Sequence, residues 1–342
     1  MKKIFFILLA ITSVIFTSCQ NYDWEFPDYE YSAVYFAYQS PVRTIVLGED
    51  VFDTSLDNEF KCQIMATMGG VYSNNKDVEI GIRVDNSICD NLVFSDNGDK
   101  RDVIPMPANY YSLSSDKITI KKGSILGGVT VQLTEAFFND PKSLATNYVI
   151  PVVMTGVVNA DSILSGKPQV SNPKRGVSTD WDVQPKDYVL YAVKYINQYD
   201  ANYLRRGKDV ISGSQSGTKI RRTQYIEKNE VIDDITTRSL NTIAWQHQTR
   251  DMNDHSHNSV MLLTFDNRGN CTITSETSGV TASGTGKFVS KGDKNSWGNK
   301  DRDVLYLNYT VDYGDIKSVT TDTLVVRDRG VKAEWFTPEL KD

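Results

Sequence analysis

The chain has 342 residues, of which 40% are hydrophobic and 23% charged. That is enough apolar material for about two packed domains and rules out wholesale disorder. Lys and Arg total 37 against 43 Asp and Glu, a net charge of −6, which lacks the cationic surplus that a nucleic-acid partner requires. With 3 His and 4 Cys there is little material for a metal cluster or a disulfide scaffold, and no cofactor is expected.

Residues 1–18 read as a signal peptide. Lys2 and Lys3 precede an apolar stretch over 4–16, too short to cross about 30 Å of hydrocarbon comfortably as a helix. Thr17 and Ser18 lead to Cys19 in an arrangement that resembles the lipobox of bacterial lipoproteins, with Phe16 where Leu is usual. The resemblance implies that Cys19 is the acylated mature N-terminus. Three acyl chains, at about 0.8 kcal/mol per buried CH₂, make an effectively permanent anchor. Cleavage removes two lysines and no acids, taking the charge from −6 to −8.

Residues 19–30 form the lipidated tether. Asp23, Glu25, Asp28 and Glu30 alternate there with Tyr22, Trp24, Phe26 and Tyr29, similar to the acidic segment that marks Bacteroidetes lipoproteins for the outer leaflet. The expectation is a lipid-anchored, cell-surface protein of the outer membrane, held off the bilayer by a tether of up to roughly 45 Å. Cys62, Cys89 and Cys271 have periodic apolar neighbours and are expected to be buried free thiols.

From 31 to 166 short strands alternate with turns. Ile118 and Ile120 alternate with Lys117, Thr119 and Lys121; Lys122-Gly123-Ser124 turns; Val129, Val131 and Leu133 alternate again. Asp96-Asn97-Gly98-Asp99 is a hairpin signal. The apolar run 148–153 contains Pro151, which suits an edge or a bulge. One short helix is expected at Glu135–Phe138. The pattern predicts an antiparallel sandwich. Tyr110-Tyr111, Lys122-Gly123, Pro151 and the 161–167 run resemble a Bacteroidetes domain of unknown function, number 1735. That domain is also found at the N-terminus of surface endo-β-N-acetylglucosaminidases of glycoside hydrolase family 18. The resemblance implies an immunoglobulin-like sandwich in an outer-membrane setting; it does not imply catalysis, because the hydrolytic carboxylates of those enzymes lie in a different domain, and their D-x-x-D-x-D-x-E strand is absent here.

Residues 167–186 hold Pro168, Pro173 and Pro185 and read as a linker, with Trp181 packing into an interdomain crease. The second body, 187–342, is again strand-rich. It has strands at 188–195, 260–265 and 271–276, and Leu305, Leu307, Tyr309, Val311 and Tyr313 share one face. Successive hairpins predict a calycin-like meander, an antiparallel barrel or sandwich. The stretches AVKYINQYDANYLRRG and DTLVVRDRGVKAEWFTP resemble the C-terminal domain of related surface lipoproteins, whose activity is unassigned. The fold class is all-β.

His247, His255 and His257 lie within eleven positions, with Asp251 among them. His255 and His257 would share a face of a strand, and Asp251 or His247 could complete a zinc site, although the spacing is permissive rather than diagnostic. No nucleophile elbow, P-loop or dinucleotide fingerprint is present; Gly284-Thr285-Gly286 begins none. Sugars offer C–H faces that stack on aromatic rings and hydroxyls that pair with carboxylate, amide and guanidinium groups. Two tryptophan neighbourhoods fit: Trp245 with Arg250 and Asp251, and Trp297 with Asn299 and Asp301. The simpler reading has each indole plugging a barrel end, and Trp335 in the core. Arg205-Arg206 and Arg221-Arg222 read as solvated cationic spots. The expected function is a non-catalytic glycan-binding accessory of a polysaccharide-uptake system. The alternative is a structural or adhesive surface protein with a protein partner, and the third reading is a metal-assisted hydrolase on the histidine cluster.

Overall fold

The computed structural model describes residues 31–95 and 100–341; the signal peptide, Cys19, the tether and the 96–99 turn signal lie outside them. The chain is almost entirely β. Its first body is a sandwich. One sheet runs Ser162–Ile163, Ala33–Tyr35, Lys61–Gly69, Leu126–Leu133, Tyr111–Leu113. The facing sheet runs Glu334–Trp335, Pro41–Val46, Tyr188–Ile196, Tyr148–Val158, Val78–Val84, Lys117–Ile120. Alternate residues such as Ile64, Ala66, Val129, Val131, Ile118 and Ile120 point between the sheets and build one core.

The second sheet is covered on its other face as well. Val149, Val153, Leu190 and Ala192 pack there under Leu92, Phe94, Val177 and Phe336. A strand buried on both faces has no polar side to present, which explains the unbroken apolar run at 148–153. Pro151 lies inside this central strand rather than at an edge. Its carbonyl accepts from Asp85 N at 2.9 Å. On that side the neighbour changes from Ile104–Pro105 to Val78–Val84, with pairing to the latter beginning at Val152. The missing N–H therefore falls at a break in the ladder. Cys62, Cys89 and Cys271 are free and buried. Burial pushes each thiol up to about 12, so all three remain protonated and unreactive.

The expected linker is folded. Lys167–Pro168 pairs with Trp181–Val183, Arg175 pairs with Asp187 at 2.9 Å, and the Trp181 indole donates to Lys174 O at 2.9 Å. The seam expected at 167–186 is displaced. The strand Tyr188–Ile196, assigned from sequence to the second body, pairs antiparallel with Tyr148–Val158 and parallel with Pro41–Val46 inside the sandwich. The chain also returns at its end: Glu334–Trp335 joins Pro41–Val46, and Pro338–Leu340 joins Leu92–Phe94.

The second body is a single curled sheet ordered Gly217–Arg221, Asn202–Gly213, Ile316–Asp328, Arg302–Asp312, Thr281–Asp293, Asn270–Ser275, Ser256–Phe265, Thr242–Arg250, Ile235–Ser239. Glu230–Ile232 pairs with Asn202–Gly213 at one end of that order, and only Asp233 and Asp234 separate it from the strand at the other. The sheet thus curls back on itself as a barrel. Inward glycines make the curl possible: a Cβ at Gly286 would stand 2.4 Å from Leu307 and 2.7 Å from Cys271 Sγ.

Arg329 fastens barrel to sandwich. Its guanidinium donates to the carbonyls of Asp200 (2.5 Å), Asn197 (2.6 Å), Leu47 (3.1 Å) and Glu49 (3.3 Å). Charge-assisted bonds of this kind contribute about 1.5–3 kcal/mol each at most, with strong overlap when one group makes several. Arg329→Ala is expected to cost about 2–3 kcal/mol and to open the junction to limited proteolysis near residue 198. An unchanged cleavage pattern and urea midpoint would refute that role.

Candidate functional site

Strand alternation sorts the barrel interior into two halves. Ile243, Leu263, Phe265, Ile273, Leu305 and Leu324 fill the end nearer the sandwich. Farther along the same strands the inward positions turn polar: Arg205 and Asp209 on Asn202–Gly213, His247 and Thr249 on Thr242–Arg250, Ser259, Tyr309, and Ser318, Thr320 and Asp322 on Ile316–Asp328. All are buried, and all are hydrogen-bonded.

Asp322 is the hub. Its Oδ2 accepts from Arg205 Nε at 3.0 Å and from the Tyr309 hydroxyl at 2.7 Å, and its Oδ1 accepts from Arg221 Nη2 at 2.5 Å. Gly207 makes room for it: the two residues face each other across paired strands, and a Cβ at Gly207 would stand 2.0 Å from Asp322 Oδ1. Burial opposes ionisation of Asp322, but the charges of Arg205 and Arg221 outweigh it and hold the carboxyl below the ordinary range. Arg221 also pairs with Asp209, which accepts from Thr320 Oγ1 at 2.8 Å. His247 Nε2 lies 3.0 Å from the Tyr309 hydroxyl. Burial, reinforced by Arg205, keeps the imidazole neutral.

Trp245 lies under this network at 1% exposure. The Arg205 guanidinium stands 5.0 Å above its ring, and His247 meets it edge-on at 4.7 Å. It is a floor for the polar half, nearer the barrel-plugging reading of the sequence than the exposed platform that was its alternative. Arg205 and Arg221, expected to be solvated, are instead the interior's cations.

The barrel wall has a window here. Ile235 pairs with Trp245, and beyond it residues 246–250 have no strand partner on that side among the described residues. The opposite bank is Glu230 with Asp209, Lys219 and Arg221. Asp233 and Asp234 close one end, and the Lys219–Asp254 ion pair and the Gln215–Asp251 hydrogen bond (3.0 Å) close the other. Two cavities, of about 520 and 310 Å³, open in the window and share Arg205, Glu230 and Gln248; such volumes suit small-molecule ligands. Two lining atoms are buried without a hydrogen-bond partner: the acceptor Asp234 Oδ1 and the donor Arg221 Nε. Burial raises the Asp234 carboxyl.

The remaining sequence candidates scatter. Arg250 lines the smaller cavity. Asp251 is buried and organises its own turn, accepting from Asn253 N at 2.8 Å and His255 N at 3.0 Å. Burial works against its ionisation, yet those amides, with His257 and His255, hold it down to about 2. His255 and His257 each reach Asp251 Oδ2 at 3.4 Å, but His247 turns into the barrel. Among the described residues no group of three or more His, Cys, Asp or Glu side chains could hold a metal. Trp297 is half-buried on the outside of the barrel against Leu204, Val304 and Val325, at the end next to the sandwich. Asn299 and Asp301 are exposed, and Asp301 pairs with Lys294 at 2.8 Å. That loop is remote from the window.

A crystal structure of a Bacteroides ovatus protein of unknown function matches with 46% identity over 92% of this chain and all of that one, at a TM-score of 0.85. The chain belongs to that protein's family. Within the family fold, a model for a domain of unknown function, DUF5627, matches residues 198–330, the span of the barrel. A model for an N-terminal domain matches 28–161, in the sandwich. Two other Bacteroides ovatus structures are far less similar. One is of unknown function (14% identity, 90% of this chain and all of that one, TM-score 0.41); the other is a candidate carbohydrate-binding protein (12%, 91% and all, TM-score 0.27). At that distance neither bears on the fold or the site. No curated protein matches.

Proposed function

We propose that this family member is a non-catalytic, lipid-anchored surface protein that binds a glycan in the barrel window, as an accessory to polysaccharide uptake. The observation that carries the reading is the polar lining of the window's two cavities, in which Asp234 beside the larger and Arg221 beside the smaller each keep one polar atom without a partner. One is an acceptor and the other a donor, and a polyhydroxylated ligand offers groups of both kinds. Gln246, Gln248, Asn258 and Glu230 add amide and carboxylate groups along the larger cavity, a lining suited to a polyhydroxylated ligand rather than an apolar one. The likeness of Cys19 to a lipobox and of the N-terminal region to domain 1735 supports the surface location. The absence of chemistry is part of the proposal: Asp322 is engaged by two guanidiniums and a phenol, and His247 is sealed beneath them.

The test is isothermal titration of the purified protein against soluble oligosaccharides. Asp234→Ala and Gln248→Ala should each weaken binding about tenfold, equivalent to about 1.4 kcal/mol, and no new reducing ends should appear. Wild-type affinity in both variants, or silence across the panel, would overturn the reading. A protein partner is the second reading. It is favoured by Ile220, 74% exposed on the edge strand Gly217–Arg221; retrieval of one partner by wild type but not by Ile220→Lys would support it.

A further inference from the structure

A second feature lies on the sandwich, away from the window. The returning segment places Trp335 opposite Pro41 on the edge of the second sheet. Its ring centroid is 5.7 Å from that of Tyr38, with the planes tilted by 46°. Trp335 is 56% exposed and Tyr38 61%. Single exposed apolar residues are ordinary, but two large rings side by side form a contiguous patch that calls for a function.

The surroundings hold the pair in place. Phe336, next in the chain, points inward and meets Phe94 edge-on at 4.8 Å, and Phe336 N donates to Ser40 O at 3.1 Å. Trp335 is therefore fixed by a buried anchor on one side and a strand pairing on the other. Beside it opens a shallow cleft of about 740 Å³. Its polar wall includes Glu334, oriented by Lys194 at 2.8 and 3.0 Å, and Arg101, which donates to Thr146 O at 3.0 Å. Ser95 also lines it.

We infer that Tyr38 and Trp335 form a second carbohydrate-binding platform, which takes consecutive pyranose rings of an extended polysaccharide. The chemistry matches on both counts. The ring faces receive axial C–H surfaces, and Glu334, Arg101 and Ser95 stand where equatorial hydroxyls would reach. A wholly apolar partner would strip water from Glu334 and Arg101 without compensation. The tilt between the rings suits a chain that rotates from one sugar to the next. The platform shares no residue with the window, so it stands or falls independently of the site proposed above.

Affinity electrophoresis in gels containing barley β-glucan, xylan, galactomannan or starch tests it. At least one polysaccharide should retard the wild-type protein. Trp335→Ala should then weaken retardation at least tenfold, Tyr38→Ala at least threefold, and Trp335→Phe by less than threefold. Both rings are exposed, so the melting temperatures should be unchanged. Tyr38→Ala probes the platform without altering the returning tail. Retardation of Trp335→Ala equal to wild type overturns the inference, as does no retardation of the wild type by any of the four polymers, or binding of a proline-rich peptide in place of glycan.

Discussion

Replacing Asp322 by alanine should destabilise the barrel by about 3–5 kcal/mol, the cost of breaking a buried ion network by removing one member. Arg205 would keep Glu230 at 3.5 Å as its remaining carboxylate, Arg221 would keep Asp209, and Tyr309 would lose its carboxylate acceptor. Asp322→Asn should cost less because it preserves shape and one acceptor oxygen. The pH dependence has a definite sign. A carboxyl held below its unfolded range contributes stability that is present above the unfolded value, about 3.9, and is lost as pH falls through the folded one. The wild type should therefore lose stability below about pH 4, and Asp322→Asn should lose less over the same interval. Urea denaturation across pH measures both; a loss under 1 kcal/mol in the alanine variant at pH 7 would mean that the network is not a unit.

Trp245→Ala should be comparably severe, at about 3–5 kcal/mol for a large aromatic removed from a packed core. The indole carries the Arg205 guanidinium on its face and His247 and Tyr309 at its edge, with centroids 4.7 and 6.4 Å away. Its loss should loosen the floor of the window as well as the apolar half below it. Trp245→Phe should recover part of the stability and keep the window's affinity within a few-fold. If the alanine variant instead retained wild-type stability while losing only glycan affinity, Trp245 would be a contact residue after all, and its burial would have to be transient.

These two residues also mark what could be read from the sequence. In Thr242–Arg250 the outward positions are Gln246, Gln248 and Arg250, and the inward ones Ile243, Trp245, His247 and Thr249. The phase of that alternation was visible and pointed Trp245 inward; grouping it with Arg250 mixed two faces of one strand. The same rule correctly gave Leu305, Leu307, Tyr309 and Val311 a common face. Arg205 and Asp322 were missed because charge alone argues for solvent. Only the pairing of Gly207 with Asp322, 115 positions apart in sequence, shows why a carboxylate fits inside.

Long-range pairing likewise explains the misplaced seam. Tyr188–Ile196 follows a proline-containing segment and looks like the start of a new body. It completes the earlier one through a parallel partner near residue 42 that no local pattern can announce. Trp335 went to the core in the sequence reading because it adjoins Phe336 in a short apolar segment. Adjacent residues of an extended segment face opposite ways, and Phe336, just past the two-residue strand Glu334–Trp335, is the one that faces inward.

The all-β architecture was legible, and the way the barrel is spliced into the sandwich was not. The chain leaves the sandwich after Ile196 and rejoins it at Glu334, and Arg329 clasps the two crossings together through Asn197 and Asp200. Tension applied between residues 31 and 341 would therefore run through the sandwich alone, and the barrel would hang outside the load path. A force on the barrel would reach the sandwich through those two crossings and the Arg329 clasp. The same splice makes the barrel exchangeable: a relative could replace residues 198–329 with another module and leave every strand of the sandwich in register.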